Sequence, residues 1–224
     1  MPAATILHLA VVLLAVLPSA ACLADACDEL PKPAVKVERL ESQVALNTRY
    51  GVKALNNLGA TVSRPGHQVL GLTRGTASAS LAVHSPTLVD SSGRWECASP
   101  QITLRYGFSP ITVYVAREFP PGSCAHQQIY EHEMRHVKTY EEHLVNLEKD
   151  LLATLNARFA TGGPWRGKAG DIGPRLRREL DQRWLPMVQR EIRRVEAAQA
   201  LIDTDEEYAR VADACDGAIK KVIR

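Results

Sequence analysis

The stretch from Cys124 to Phe159 constrains this chain more than any other. Apolar residues recur at Ile129, Val137, Tyr140, Leu144, Leu147, Leu151, Leu155 and Phe159, the spacing of one buried stripe on an α-helix. The ends are marked as well. Pro120-Pro121-Gly122 breaks what precedes, Ser123 is placed to N-cap, and Thr161-Gly162-Gly163-Pro164 stops the helix. A helix this long with one apolar face needs the rest of the core built against it.

Inside it stands His132-Glu133-Met134-Arg135-His136. Histidines four apart lie one turn above one another, so their imidazoles can converge on a single Zn²⁺ while the adjacent glutamate faces a water held there. A shuffled chain with the same seven His and fifteen Glu would contain the motif roughly once in seventy tries, so the register must carry the argument. At ~100° per residue from Ile129, the stripe as far as Leu155 spans about 0 to 80°, the histidines 132, 136 and 143 fall near 300 to 340°, and Glu133 near 40°. A buried unpaired carboxylate costs several kcal/mol or protonates, so Glu133 in that register needs a partner, and a metal-held water is one.

The third ligand is less legible. His143 shares the azimuth of the other two but lies ~10 Å along the axis from His136 if the helix is straight. Glu141 and Glu142 are nearer along the axis yet point elsewhere. Glu179, Asp181 and Glu191 could reach the site if a second helix packs on the first, while His67, His84 and His126 are further candidates.

Residues 1 to about 26 read as a secretory signal, with an apolar run from Ile6 to Leu17, a break at Pro18 and small residues at the cleavage positions. The run is too short to span a membrane permanently. Ser19-Ala20-Ala21 before Cys22 is the competing lipoprotein reading. Periplasmic or secreted export leaves Cys27, Cys97, Cys124 and Cys215, an even number that suits two disulfides in an oxidising compartment. The favoured pairs are Cys97 with Cys124 and Cys27 with Cys215. A net charge of +2 over 224 residues carries no polyanion signature, so no nucleic-acid partner is expected.

From Val35 to Phe119 the chain reads as strands and turns, with loops at Ser63-Arg64-Pro65-Gly66 and Asp90-Ser91-Ser92-Gly93. The clearest pair is Ile102, Leu104, Tyr106, Phe108, then Ser109-Pro110, then Ile111, Val113, Val115, which reads as a hairpin whose second strand could offer an edge to an extended peptide. Residues 161–173 read as a loop and candidate lid. A second helix starts near Pro174 with a kink at Pro186, and a third runs from the Thr204 cap, with Glu207 completing a capping box, towards Val222. Seven arginines between Arg175 and Arg194 form a solvated face, with contact to an anionic envelope surface as the alternative. The division expected is a signal over 1–26, strands plus the histidine helix over 27–160, the loop, and helices over 174–224 packed on the same domain. The expected class is α+β, with N-terminal antiparallel strands followed by the metal-site helix and a C-terminal helical region.

An exported chain with a cysteine just ahead of a His-Glu-x-x-His helix, preceded by an Ile/Val/Tyr-rich strand pair, resembles a secreted bacterial family of unknown function described, from that motif, as zinc-dependent proteases. The resemblance covers about Trp95 to Leu152 through Cys124, His132, Glu133 and His136. It implies a zincin-like fold and a Zn²⁺ cofactor, with Glu141 in the position of the acidic residue that often follows the motif. The expected function is a metallopeptidase acting on peptide or protein, with Glu133 as general base and an oxyanion donor among Tyr106, Tyr114, Arg135 or a loop residue. The alternatives are a non-enzymatic envelope protein whose helical region binds a partner, with structural or no metal, and a peptidoglycan amidase.

Overall fold

The computed structural model describes residues 26–61 and 66–223. The expected signal, apart from Ala26, and residues 63–65 of the first expected loop lie outside the described residues. After a short 3₁₀ turn, Ala26–Glu29, come β1 (Ala34–Arg39), β2 (Val44–Asn47), α1 (Val52–Leu58), β3 (Gly71–His84), β4 (Thr87–Val89), β5 (Trp95–Ala98) and β6 (Gln101–Val115). Then follow α2 (Cys124–Phe159), β7 (Trp165–Lys168), α3 (Ile172–Glu179), a π turn (Leu180–Trp184), α4 (Leu185–Arg193), α5 (Val195–Ala200) and α6 (Asp205–Val222). The architecture is mixed α and β, and α1 is a helix inside the region expected to be strands and turns.

Strand β6 is the spine. It runs for 15 residues, with β1 and β2 parallel along its successive halves and β3 antiparallel on the other side. The sheet is therefore mixed, where antiparallel strands were expected. No hairpin forms at Ser109-Pro110, a cis peptide inside the strand. The buried residues Ile102, Leu104, Tyr106 and Phe108 are even-numbered, and Ile111, Val113 and Val115 odd. A change of phase reads as a turn in sequence. Here it is absorbed by a bulge, since Gly75 pairs with Ile111 and Ala77 with Phe108, so two residues of β6 face one of β3 and both halves keep their apolar side chains buried. With β6 central, β1, β2 and β3 each pair, among the described residues, with β6 alone.

The same correction explains the disulfides, which join Cys27 to Cys97 and Cys124 to Cys215. A hairpin would have returned residue 124 to the level of residue 97. An unbroken β6, roughly 45 Å long at ~3.3 Å per strand residue, runs between them instead. Cys97 meets the N-terminal segment, where Ser99 Oγ donates to the Pro31 carbonyl at 2.5 Å and Ala34 N–H to Pro100 O at 2.9 Å.

Helix α2 lies across the sheet, and its Val137, Leu144, Leu147, Leu151, Leu155 and Phe159 share one core with Ile102 to Val113 of β6. The second helical run completes that core with Leu176, Leu180, Trp184, Val188 and Ile192. Apolar residues spaced uniformly by four drift about 40° per step around an ideal α-helix. The wider π turn at Leu180–Trp184 takes up much of that drift, keeping Leu176 and Ile192 on one face. Residues 161–173 are not a free loop. β7 pairs with β5, and the buried Glu96 carboxylate accepts from Gly170 N–H at 2.9 Å and Ile172 N–H at 2.8 Å.

Thr204 caps α6 as expected, accepting from Glu207 N–H at 3.1 Å. The helix is interrupted at Ala214 to Gly217, where Cys215, Asp216 and Gly217 adopt φ of 59°, 54° and 71°. Left-handed backbone costs about 1–2 kcal/mol for each non-glycine residue, and the break is where Cys124 is joined. Val211 and Ile219, on either side of it, pack into a smaller second core with Leu55, Val69, Leu72 and Ile129. Among the described residues no helix is long and apolar enough to cross a membrane.

Candidate metal centre

Ser123 Oγ accepts from His126 N–H at 3.1 Å, and α2 then runs unbroken for 36 residues, so the azimuths of an ideal helix apply. His132, Glu133 and His136 are buried, at 8, 4 and 9 % exposure. The straight helix rules out both expected third ligands. Glu141 is exposed on the outer side. His143 Nε2 instead meets the Glu191 carbonyl at 2.9 Å, tying α4 to α2.

The third group is Asp203, from the connector between α5 and α6. Its Oδ1 lies 3.1 Å from His132 Nε2 and 3.3 Å from His136 Nε2, which are 3.3 Å from each other. These three side chains are the one group of three or more metal-ligating type, among the described residues, whose ligand atoms lie within 4.8 Å of one another. The other candidates are engaged elsewhere or exposed. Glu179 accepts from Arg158 and Trp184, Glu191 pairs with Arg194, and Asp181 and His84 are exposed. His126 Nδ1 meets Phe119 O at 3.2 Å, and His67 stacks on Tyr208 at 4.4 Å.

The far nitrogens of both imidazoles are held. His132 Nδ1 lies 3.1 Å from Glu207 Oε1, and His136 Nδ1 lies 2.6 Å from Gln199 Oε1. Gln199 in turn donates through Nε2 to the His136 carbonyl at 3.0 Å. Gln199 is an acceptor for Nδ1–H of His136, whereas His132 Nδ1 also meets Arg135 Nη2 at 2.9 Å. Each Nε2 faces an Asp203 oxygen as a donor, and a cation bound between them would take the place of those protons, with the partners behind the rings keeping them oriented. The capping box is therefore only half formed. Thr204 N–H goes to the Ile202 carbonyl at 3.0 Å, and the Glu207 carboxylate is spent on His132, Arg135 and Arg210.

The electrostatics follow from these contacts. Burial works to raise the Asp203 carboxyl, but hydrogen bonds from His132 and His136 outweigh it and hold it well below the usual range. Arg210 foremost, then Arg135 and His132, keep Glu207 low against its burial. Burial opposes charge on His136, yet Asp203 and Glu133 outweigh it and raise its affinity for a proton. Glu133 is pushed up by burial, with the neighbouring histidines and Thr73 opposing.

Strand β3 supplies the partner of Glu133. Thr73 Oγ1 lies 2.8 Å from Glu133 Oε2 and 3.0 Å from its backbone carbonyl, able to donate to either. At Gly71 an added Cβ would stand 2.5 Å from Glu133 Oε1 and 2.7 Å from Ile129 Cγ2, so only glycine lets strand and helix approach this closely. A cavity of about 440 Å³ opens between β3, α2 and the α5–α6 segment, with His132, Glu133, His136 and Asp203 in its wall. None of the named oxyanion donors lines it. Tyr106 donates to the Leu144 carbonyl at 2.8 Å in the core, its hydroxyl pushed up to about 12 first by burial. Tyr114 packs edge-on against Tyr50, and Arg135 is paired with Glu207. The tyrosines in the wall are Tyr140 and Tyr208.

The chain matches no family model, no curated protein and no solved structure. Its function must be read from the geometry.

Of the groups that sequence reasoning missed, Asp203 had one signal, its place immediately before the Thr204 cap in an acid-rich run to Glu207. Gln199, Thr73 and Gly71 had none.

Proposed function

We propose that the chain is a zinc-dependent hydrolase of peptide bonds, working in the periplasm or outside the cell. The observation that carries this is the convergence of two Nε2 atoms and one carboxylate oxygen while both Nδ1 atoms are held from behind. Two nitrogens and one oxygen from three protein side chains form the donor set of an open zinc site, with a position left for substrate. Glu133 is not one of the three. It stands beside them with a raised proton affinity, as a group that takes and returns a proton should.

Zinc held by His132, His136 and Asp203 would supply Lewis acidity, bringing the pKa of a water towards ~7 and polarising a carbonyl. Glu133 then accepts the proton lost as water attacks and delivers it to the leaving amine. Thr73 holds its carboxylate in place, and Glu207 and Gln199 fix the imidazoles. The unpaired side of β3, next to Glu133, suits the extended backbone of a substrate, an arrangement akin to zincins. Two disulfides fit an oxidising compartment. The exposed arginines of α3 and α4 suit peripheral contact with an anionic envelope surface.

A second reading rests on the same distances. Asp203 bridges both imidazoles at 3.1 and 3.3 Å, so the cluster could be a buried ion pair in a non-enzymatic envelope protein. Metal content separates the two. Protein made without a His-tag in an oxidising compartment should hold about one zinc per chain, lost in His132→Ala and in Asp203→Ala. Glu133→Gln should keep the zinc and lose about 10²- to 10⁴-fold of the activity on casein. A folded chain that takes up no zinc, or a Glu133→Gln variant as active as the parent, sinks the hydrolase reading.

A further inference from the structure

The cavity at the metal centre has two chemically different ends. One holds His132, Glu133, His136 and Asp203. The other carries Val69, Leu72, Ile129 and Val211, exposed by 8, 8, 2 and 8 % and belonging to the second core, with the uncharged Gln68 and Tyr208 beside them. Ile129 precedes Glu133 by one helical turn, so the apolar end adjoins the carboxylate that handles the proton. Val211 follows Glu207 by one turn on α6, so the segment that orients His132 also closes this end.

The charge of the wall is one-sided. Its ionisable residues other than the two histidines and Tyr140 and Tyr208 are Glu133, Asp203 and Glu196, and it contains neither Lys nor Arg. An acidic group reaching past the metal would meet carboxylates and no lysine or arginine. A basic one reaching the apolar end would lose its water without a partner there. A hydrocarbon group gains by leaving water at the same place. About 440 Å³ falls in the range of roughly 300–1,000 Å³ that takes a small ligand or a few residues.

We propose that this end is a side-chain subsite, selecting substrates with a branched or aromatic apolar residue beside the bond cleaved and rejecting acidic ones, with Ile129 and Val211 setting its size. The subsite rests on the metal-centre reading above.

The test uses the full chain loaded with zinc and titrated calorimetrically with three hydroxamic acids, whose head group ligates a metal that has an open position. Acetohydroxamic acid reports the metal alone, 4-methylpentanohydroxamic acid adds a leucine-like group, and succinic monohydroxamic acid adds a carboxylate. The leucine-like probe should bind about tenfold tighter or more than acetohydroxamic acid, and the acidic one no tighter. Val211→Phe, which fills the apolar end, should abolish the difference and keep acetohydroxamate binding; Val69→Phe replaces it if that variant does not fold. Equal affinities for the first two probes, or a preference that survives filling, overturns the subsite. A chain that takes up no zinc overturns the metal-centre reading and the subsite together, whereas zinc binding without preference overturns the subsite alone.

Discussion

His132, Glu133 and His136 stand on a 36-residue helix whose stripe is packed into the larger core, whereas Gln199, Asp203 and Glu207 stand on the six-residue α5, its connector and α6. The first half of the centre is placed by helical geometry. Its three residues cannot move relative to one another without unwinding α2. The second half is a strap, held by Val195 in the larger core, Val211 and Ile219 in the smaller one, and Cys215 bonded to Cys124. The comparison teaches that two of the three converging side chains are fixed by the framework helix and the third only by whatever holds the strap in place.

Damage to the framework should show mainly as stability. Leu155 is fully buried in the larger core, and Leu155→Ala should cost roughly 2–5 kcal/mol, read by denaturant unfolding. Zinc affinity of the fraction still folded should be nearly unchanged. A parallel loss of affinity would show that the two halves are not separable.

Damage to the strap should lower both stability and metal affinity. The Cys124–Cys215 bond closes a separation of 91 residues. Its removal in a Cys124→Ser, Cys215→Ser double variant should cost about 2–4 kcal/mol and, unlike Leu155→Ala, weaken zinc binding in the folded protein, measured by chelator competition. Unchanged affinity would mean that Val195, Val211 and Ile219 suffice to hold the strap.

A finer cut is Gln199→Ala, which removes the acceptor behind His136 and leaves the three converging groups in place. Loss of such a partner costs about 10- to 100-fold in metal affinity, with little change in melting temperature. An effect on melting alone would make Gln199 a packing residue.

The smallest effect is in pH, where the two states of the centre should differ in sign. Without zinc, His136 has a raised pKa, so its contribution is fully present below the unfolded value of ~6.5 and lost as pH rises through the folded one. Asp203 and Glu207 are depressed; their contributions are present above their unfolded values and lost only as pH falls through the folded ones. The zinc-loaded protein should lose stability on acidification, because protons compete for the imidazoles. Melting curves with chelator and with zinc between pH 5 and 9 should therefore diverge most at the alkaline end. Parallel curves would deny the histidines a role in metal binding.

What was legible followed local rules. The limits of α2, its Ser123 cap and the positions of His132, Glu133 and His136 relative to the stripe come from a period of 3.6 acting over neighbouring residues. Thr204 as a cap was legible for the same reason. Glu207 was misread because the side chain that a capping box would send back to the Thr204 N–H found a stronger partner in His132 and two arginines, and only tertiary packing brings those within reach. The phase change at Ser109-Pro110 looks the same in sequence whether the chain turns or bulges. Which one occurs depended on β3, some thirty residues earlier, being there to pair across it.

By itself, then, the sequence determined a long amphipathic helix carrying two histidines and a buried glutamate on adjoining faces, because those relations are set within a few turns of one helix. The packing of distant segments decided that β6 is a single strand, that Cys27 meets Cys97 and Cys124 meets Cys215, and that Asp203 completes the centre from 67 residues beyond His136. No periodicity links positions so far apart. They meet because the burial of Val195, Val211 and Ile219 and the bond between Cys124 and Cys215 bring the C-terminal strap back across the histidine helix.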